Sequence, residues 1–133
     1  VSLAVVDASV LTVFYAADDP RRNAVVSRLG VGDTFVAPAL LDAEVVSALR
    51  GLAFRHPPLR EVVPAALRHL AGMAIQRLPL APLLERMWEL RDNVTPYDAA
   101  YVAIAEQLDA PLITCDGKLS AANGPACIFE LIT

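Results

Sequence analysis

Four carboxylates stand out, each in an apolar or helix-initiating setting: Asp7 in Val5-Val6-Asp7-Ala8-Ser9, Glu44 in Leu41-Asp42-Ala43-Glu44-Val45, Asp98 in Thr95-Pro96-Tyr97-Asp98-Ala99-Ala100-Tyr101, and Asp116 in Leu112-Ile113-Thr114-Cys115-Asp116. An unpaired buried carboxylate is costly, so four in one small chain point to a shared partner. Carboxylates packed together repel, and one or more must protonate unless a cation compensates. A set of three or four acids without histidine suits a hard divalent ion, Mg²⁺ or Mn²⁺. Such an ion activates water and neutralises developing charge on a phosphate, which makes phosphodiester hydrolysis the leading reaction class.

Taken singly, each acid also has a plainer explanation. Asp7 is a good residue to cap the helix that follows, although Ser9 is the closer N-cap candidate and would release it. Glu44 and Asp42 border opposite sides of the apolar stripe Leu41, Val45, Ala48, Leu49 and Leu52, so periodicity does not choose between them. Asp42 is already accounted for as a first-turn acid favoured by the helix dipole; Glu44 is not, and we favour it. Asp98 resembles the third residue of a capping box begun by Thr95, with Pro96 at the first helical position, though the box prefers the longer Glu or Gln. Asp116 alone would be an ordinary turn residue before Gly117.

The elements that must position these acids read as alternating short strands and helices, the pattern of a parallel α/β sheet. Strands are expected at Leu3–Val6, Thr34–Ala37, Ile75–Leu80, Leu112–Thr114 and Ile128–Leu131. Helices are expected at Val10–Ala16, Arg21–Leu29 (stopping at Gly30), Pro38 to about Phe54, Leu59–Met73, Pro82–Asp92 and Pro96–Leu108, with Pro64 kinking the fourth or starting it afresh. The last helix is apolar nearly all round and should be buried. Asp7 and Asp116 then fall beyond the carboxyl ends of their strands, where open α/β sheets place ligands.

Composition is consistent with that picture. With 133 residues and 56% apolar content, a single domain with a real core is expected. The net charge is −4, from 15 acids and 11 bases, and setting the four carboxylates aside leaves 11 of each. Overall acidity argues against a general nucleic-acid coat but allows a local basic patch. No apolar run approaches the ~18–20 residues that span a membrane, and the opening run Val1–Val6 is short for a signal-peptide core and lacks a basic flank. The expectation is a cytoplasmic protein with no membrane partner. Cys115 and Cys127 lack zinc-site spacing; two reduced, buried thiols are expected rather than a disulfide.

Other residues carry weaker signals. Arg21, Arg22 and Arg28 would form a phosphate-contacting rim or a solvated helix face. His56 and His69, near Arg55, Arg60 and Arg68, read as surface residues. Trp88 reads as a core or interface anchor, and Tyr97 and Tyr101 flank Asp98. Two other classes are open on these residues. An aspartyl-phosphate protein would use Asp7 with Lys118, the only lysine, but Ser9 stands where a phosphatase has its second acid and no acid pair follows the first strand. A non-enzymatic module would use the acidic pocket to dock a basic peptide.

The order and spacing of Val5–Ser9, Pro38–Val45, Thr95–Glu106 and Leu112–Leu119 resemble those of the PIN-domain ribonucleases, and more closely the VapC-type toxins of type II toxin–antitoxin pairs. The resemblance implies a PIN-like α/β/α sandwich with about five short parallel strands flanked by helices. It implies a metal site of Asp7, Asp98 and Asp116, with Glu44 binding directly or through water and preferred over Asp42. It also implies supporting hydroxyls at Ser9 and Thr114, one or two Mg²⁺ or Mn²⁺ ions, and hydrolysis of RNA to a 3′-hydroxyl and a 5′-phosphate. The expected partners are RNA, a cognate antitoxin that inhibits the enzyme, and a second copy in a homodimer.

Overall fold

The computed structural model describes residues 2–133; Val1, the first residue of the apolar opening run, lies outside the described residues. The elements run β1 (Leu3–Val6), α1 (Ala8–Tyr15), α2 (Arg22–Leu29), β2 (Thr34–Pro38), α3 (Leu41–Arg55), α4 (Val63–Gly72), β3 (Ile75–Leu78), α5 (Leu84–Glu89), α6 (Pro96–Leu108), β4 (Leu112–Thr114), α7 (Gly117–Ser120) and β5 (Phe129–Leu131). Single 3-10 stretches at Pro57–Glu61 and Ala81–Leu83 precede α4 and α5. The five strands form one sheet in the order β3-β2-β1-β4-β5, every neighbouring pair parallel. The chain moves outward from β1 to β3, then returns to β4 on the other side of β1. Right-handed crossovers made in opposite directions put their helices on opposite faces of the sheet, giving the α/β/α layering.

Parallel strands covered on both faces are apolar throughout, and Ala4, Val5 and Val6 of β1 are fully buried. Helix α6 packs against β1, β2 and β4. Its residues Ala99–Ala105 are all buried, and four of these seven are alanines, which let the helix axis approach the sheet closely. It ends at Asp109, whose backbone takes a left-handed turn at φ 49 while its N–H returns to Ala105 and Glu106. Asp tolerates that conformation better than most non-glycine residues.

Several boundaries differ from those expected. Pro38 closes β2 instead of opening α3; it pairs in register with Leu78, and the next amide, Ala39 N–H, donates to the Leu78 carbonyl at 2.7 Å. Strand β3 stops at Leu78 because Pro79 has no N–H to extend the ladder. Pro64 marks a fresh start, at the second position of α4 after the 3-10 turn. Helix α5 ends at Glu89, three residues short of Asp92. The four-residue α7 follows Asp116, where only a turn is expected from the sequence.

Arg77 of β3 closes the end of α4. Its guanidinium donates to the carbonyls of Leu70, Met73 and Ile75 and pairs with Asp42 at 3.0 Å. The carbonyls have little access to other donors, whereas Asp42 is half exposed and can return to water. Arg77→Met should therefore destabilise the protein by about 2 kcal/mol and Asp42→Asn by under about 1 kcal/mol. Urea unfolding of both variants checks this, and equal losses would contradict it.

Candidate active site

Four separate elements deliver the four acids to one place. Asp7 leaves the end of β1, Asp116 leaves the end of the neighbouring β4, Glu44 rises from the first turn of α3, and Asp98 from the first turn of α6. All four line a cleft of about 440 Å³ at the point where the strand order reverses. Open α/β sheets bind ligands there because the connections on either side diverge and leave a crevice.

Asp7 occupies the N-cap position of α1 but does not cap it with its side chain, and Ser9 lies inside the helix. The expectation that Ser9 caps α1 is therefore wrong, and the reason is a stronger local bond. The Ser9 and Thr114 hydroxyls both donate to Asp7 Oδ2 at 2.8 Å. Each hydroxyl oxygen also accepts a backbone amide from the turn after β4: Cys115 N–H to Ser9 at 2.9 Å and Asp116 N–H to Thr114 at 3.0 Å. With one proton each, both hydroxyls are fully committed, so the 3.3 Å approach between them is contact without a proton to share. Only 5% of Asp7 is exposed. Burial raises its carboxyl above the ordinary range, the two hydroxyls pull it back down, and the charge of Asp116 adds to the rise.

The structure also separates Glu44 from Asp42. Glu44 faces the cleft, where its Oε1 accepts the Tyr101 hydroxyl at 2.7 Å, whereas Asp42 turns away to Arg77. Burial is the main cause that raises the Glu44 carboxyl; the Tyr101 bond opposes the rise, and the Asp7 and Asp98 charges add to it. Tyr101 is fully buried, and its phenol is raised by that burial and by Glu44. Its role was only half legible: it lies three residues after Asp98, on the same side of α6, but nothing in the spacing names Glu44 as its partner. Tyr97, at 63% exposure, borders a second groove that Glu44 also lines.

Asp98 keeps half of the expected capping box. Its amide donates to Thr95 Oγ1 at 3.2 Å, but the reciprocal bond from the Thr95 amide to the carboxylate is not formed. The shorter Asp side chain faces the cleft instead. Burial, then the charges of Asp7 and Asp116, push it up to about 6. Asp116 caps α7, its Oδ1 accepting the amides of Lys118 at 2.9 Å and Leu119 at 3.3 Å.

The basic residues behave differently from expectation. Arg28 is held between Asp33 and Glu130, and Arg22 donates to the Phe14 carbonyl and lies over its ring. Arg21 reaches the cleft but is bound through two nitrogens to Asp19. The three arginines do not form one rim: Arg21 and Arg28 are neutralised by carboxylates, and Arg22 is turned to the Phe14 carbonyl and ring. His69 is exposed as expected and bonded to the Tyr15 hydroxyl at 2.8 Å. Trp88 is no core anchor: it is 68% exposed, with Arg91 stacked over its ring. Cys115 and Cys127 are free thiols, each half-buried rather than buried.

Among the described residues no three His, Cys, Asp or Glu side chains form a ready-made metal cage. The four carboxylates of the cleft offer oxygen donors, with the half-buried Cys115 thiol beside them, and their mutual repulsion adds to the burial that raises Asp98. That chemistry fits Mg²⁺ or Mn²⁺: Mg²⁺ keeps several waters and is held by one or two carboxylates together with substrate phosphates, without a dedicated all-protein cage. The repulsion has a measurable consequence without metal. A carboxyl raised in the folded state stabilises the fold below its unfolded value of 3.8, and that contribution is lost as pH rises to about 6. Metal-free protein should lose thermal stability across this interval, and Asp98→Asn should flatten part of the slope. An unchanged slope in Asp98→Asn would contradict the raised Asp98 carboxyl.

The PIN domain family matches residues 4–125. The chain is 47% identical over 97 residues to Ribonuclease VapC1 of Mycobacterium tuberculosis, covering 72% of this chain and 73% of that protein. It is 37% identical over 129 residues to Ribonuclease VapC9 of the same organism, covering 96% and 97%. In fold it is similar to the VapC20 toxin of M. tuberculosis (TM-score 0.70, 18% identity, covering 89% of this chain and 93% of that one). It is likewise similar to VapBC2 of Rickettsia felis, solved with a promoter DNA fragment (TM-score 0.68, 13% identity, covering 98% and 99%). The chain belongs to the PIN domain family and, within it, to the VapC ribonucleases.

Proposed function

We propose that the chain is a divalent-metal-dependent endoribonuclease and the toxin of a toxin–antitoxin pair. Asp7, Asp98 and Asp116 hold Mg²⁺ or Mn²⁺, and Glu44 completes the set directly or through water. The observation that carries this reading is the convergence of four carboxylates from four elements on one cleft, with Asp98 pushed up to about 6 by burial and its neighbours. A bound divalent cation supplies water activation and neutralises charge on the phosphate.

The protein's own residues do the positioning. The Ser9 and Thr114 hydroxyls fix Asp7 and so orient its remaining oxygen, Oδ1. The Asp116 carboxylate is fixed through Oδ1 by two amides of α7. Tyr101 occupies Glu44 Oε1, which leaves Oε2 to accept a proton from the water that attacks the phosphorus; a raised carboxyl suits that task. An aspartyl phosphate on Asp7 is disfavoured, because it is almost wholly buried and one of its oxygens already accepts two hydroxyls.

Support for partners is of a different kind. The R. felis relative is a VapBC complex, and by analogy a cognate antitoxin inhibits this chain. Phe54 and Val62, 59% and 55% exposed, offer apolar area for a protein partner, whether antitoxin or a second copy in a homodimer. Among the described residues no helix is long and apolar enough to cross a membrane. Free Cys115 and Cys127 suit the reducing cytoplasm, where we place the protein.

Purified antitoxin-free protein should cleave single-stranded RNA with Mg²⁺ or Mn²⁺ and lose activity with EDTA. Asp7→Asn and Asp98→Asn should each lower the rate by about 100-fold or more while circular dichroism stays native. Metal-independent cleavage, or full activity in both variants, would sink the reading.

A further inference from the structure

The acidic cleft continues into a second limb. Asp98 and Asp116, which line the first, also line a hollow bounded by Asn93, Pro96, Leu119 and two basic side chains, Arg91 and Lys118. Asp92 borders it too, yet neither Arg91 nor Lys118 is paired with any carboxylate among the described residues. Here the two limbs differ. The cation of the first, Arg21, is already neutralised by Asp19 at 2.8 Å. The cations of the second keep their full charge beside the acids proposed to hold metal.

Arg91 is held through its side chain, and Lys118 is fixed through its backbone. Arg91 lies over the Trp88 ring at 4.5 Å and donates to the Trp88 carbonyl at 3.0 Å, so its guanidinium is oriented without losing charge. The Lys118 amide is anchored on Asp116 Oδ1, which ties the start of its side chain to the acidic site. The rim behind them is braced. Arg86 binds Glu106 and the Gly124 carbonyl, and Glu106 accepts the Ala126 amide. Gly124 has φ +103, and a Cβ there would come within 3.1 Å of Asn93, so the bare glycine lets the two loops close on each other.

We infer that this second limb seats the backbone phosphates of the RNA strand flanking the bond that is cut, with Lys118 and Arg91 as the phosphate contacts. The inference rests on the ribonuclease reading above and assigns the direction in which the strand leaves the acids. Phosphate binding by two unneutralised cations is insensitive to base identity, so the limb contributes affinity and register while selectivity resides elsewhere.

The test is binding of a single-stranded RNA oligonucleotide, by fluorescence anisotropy, to protein carrying Asp7→Asn so that the RNA stays intact. Adding Lys118→Met and Arg91→Met together should weaken binding about tenfold and lower the salt slope of log affinity by about 1.4, two single-strand phosphate contacts. Adding Arg55→Met and Arg60→Met makes the same change in net charge outside the cleft and should leave affinity within about twofold. Equal weakening by both pairs, or an unchanged salt slope for the first, would overturn the inference. Absence of RNA cleavage by the wild-type chain would instead count against the ribonuclease reading, and the binding comparison would still decide the role of this limb.

Discussion

One carboxylate oxygen organises the carboxyl end of the sheet. Asp7 Oδ2 accepts the Ser9 and Thr114 hydroxyls, and those hydroxyls accept the amides of Cys115 and Asp116. This small network ties the exits of the two central strands together and presents Asp116 beside Asp7. It also lets a carboxylate be buried where desolvation alone would forbid it. Removing either hydroxyl would leave a backbone amide and a carboxylate oxygen short of a partner, and such losses cost more than the bond itself contributes.

The remaining acids are set around that fixed point by elements whose other faces are busy with packing. Helix α6 is buried along Ala99–Ala105 and carries Asp98 at its first turn, while its Tyr101 reaches across to hold Glu44. Helix α3 divides its two first-turn acids, giving Asp42 to Arg77 and Glu44 to the cleft. The result is a cleft lined by four carboxylates, three of which, Asp7, Glu44 and Asp98, are raised chiefly by burial and further by their neighbours' charge. Stability is spent at the site and recovered in the apolar core beneath it, as functional sites commonly require.

Much of this was legible in the sequence. The continuous apolar runs mark the strands, and they place the four acids at strand ends and helix starts. The missing parts have physical reasons. Ser9 and Asp7 are both good cap residues, so local propensity could not tell that Thr114, more than a hundred residues away, would claim the Asp7 oxygen. Asp42 and Glu44 were inseparable by periodicity because the discriminating partners, Arg77 and Tyr101, come from other elements. Arg28 read as a free helix cation, yet Asp33 and Glu130 reach it through the fold. Pro38 read as a helix start, but a proline is also tolerated at the last position of a strand, and the ladder continued past it through Ala39.

The central claim is that Asp7, Asp98 and Asp116 share one hard divalent ion, and the most direct measurement is a crystal structure of the protein soaked in Mn²⁺, with anomalous scattering recorded at the manganese edge. The account predicts a peak in the cleft with carboxylate oxygens of these three residues within coordinating distance or one water removed. Its height should fall to background in Asp7→Asn. A peak elsewhere on the molecule, with the cleft bare, would contradict the account.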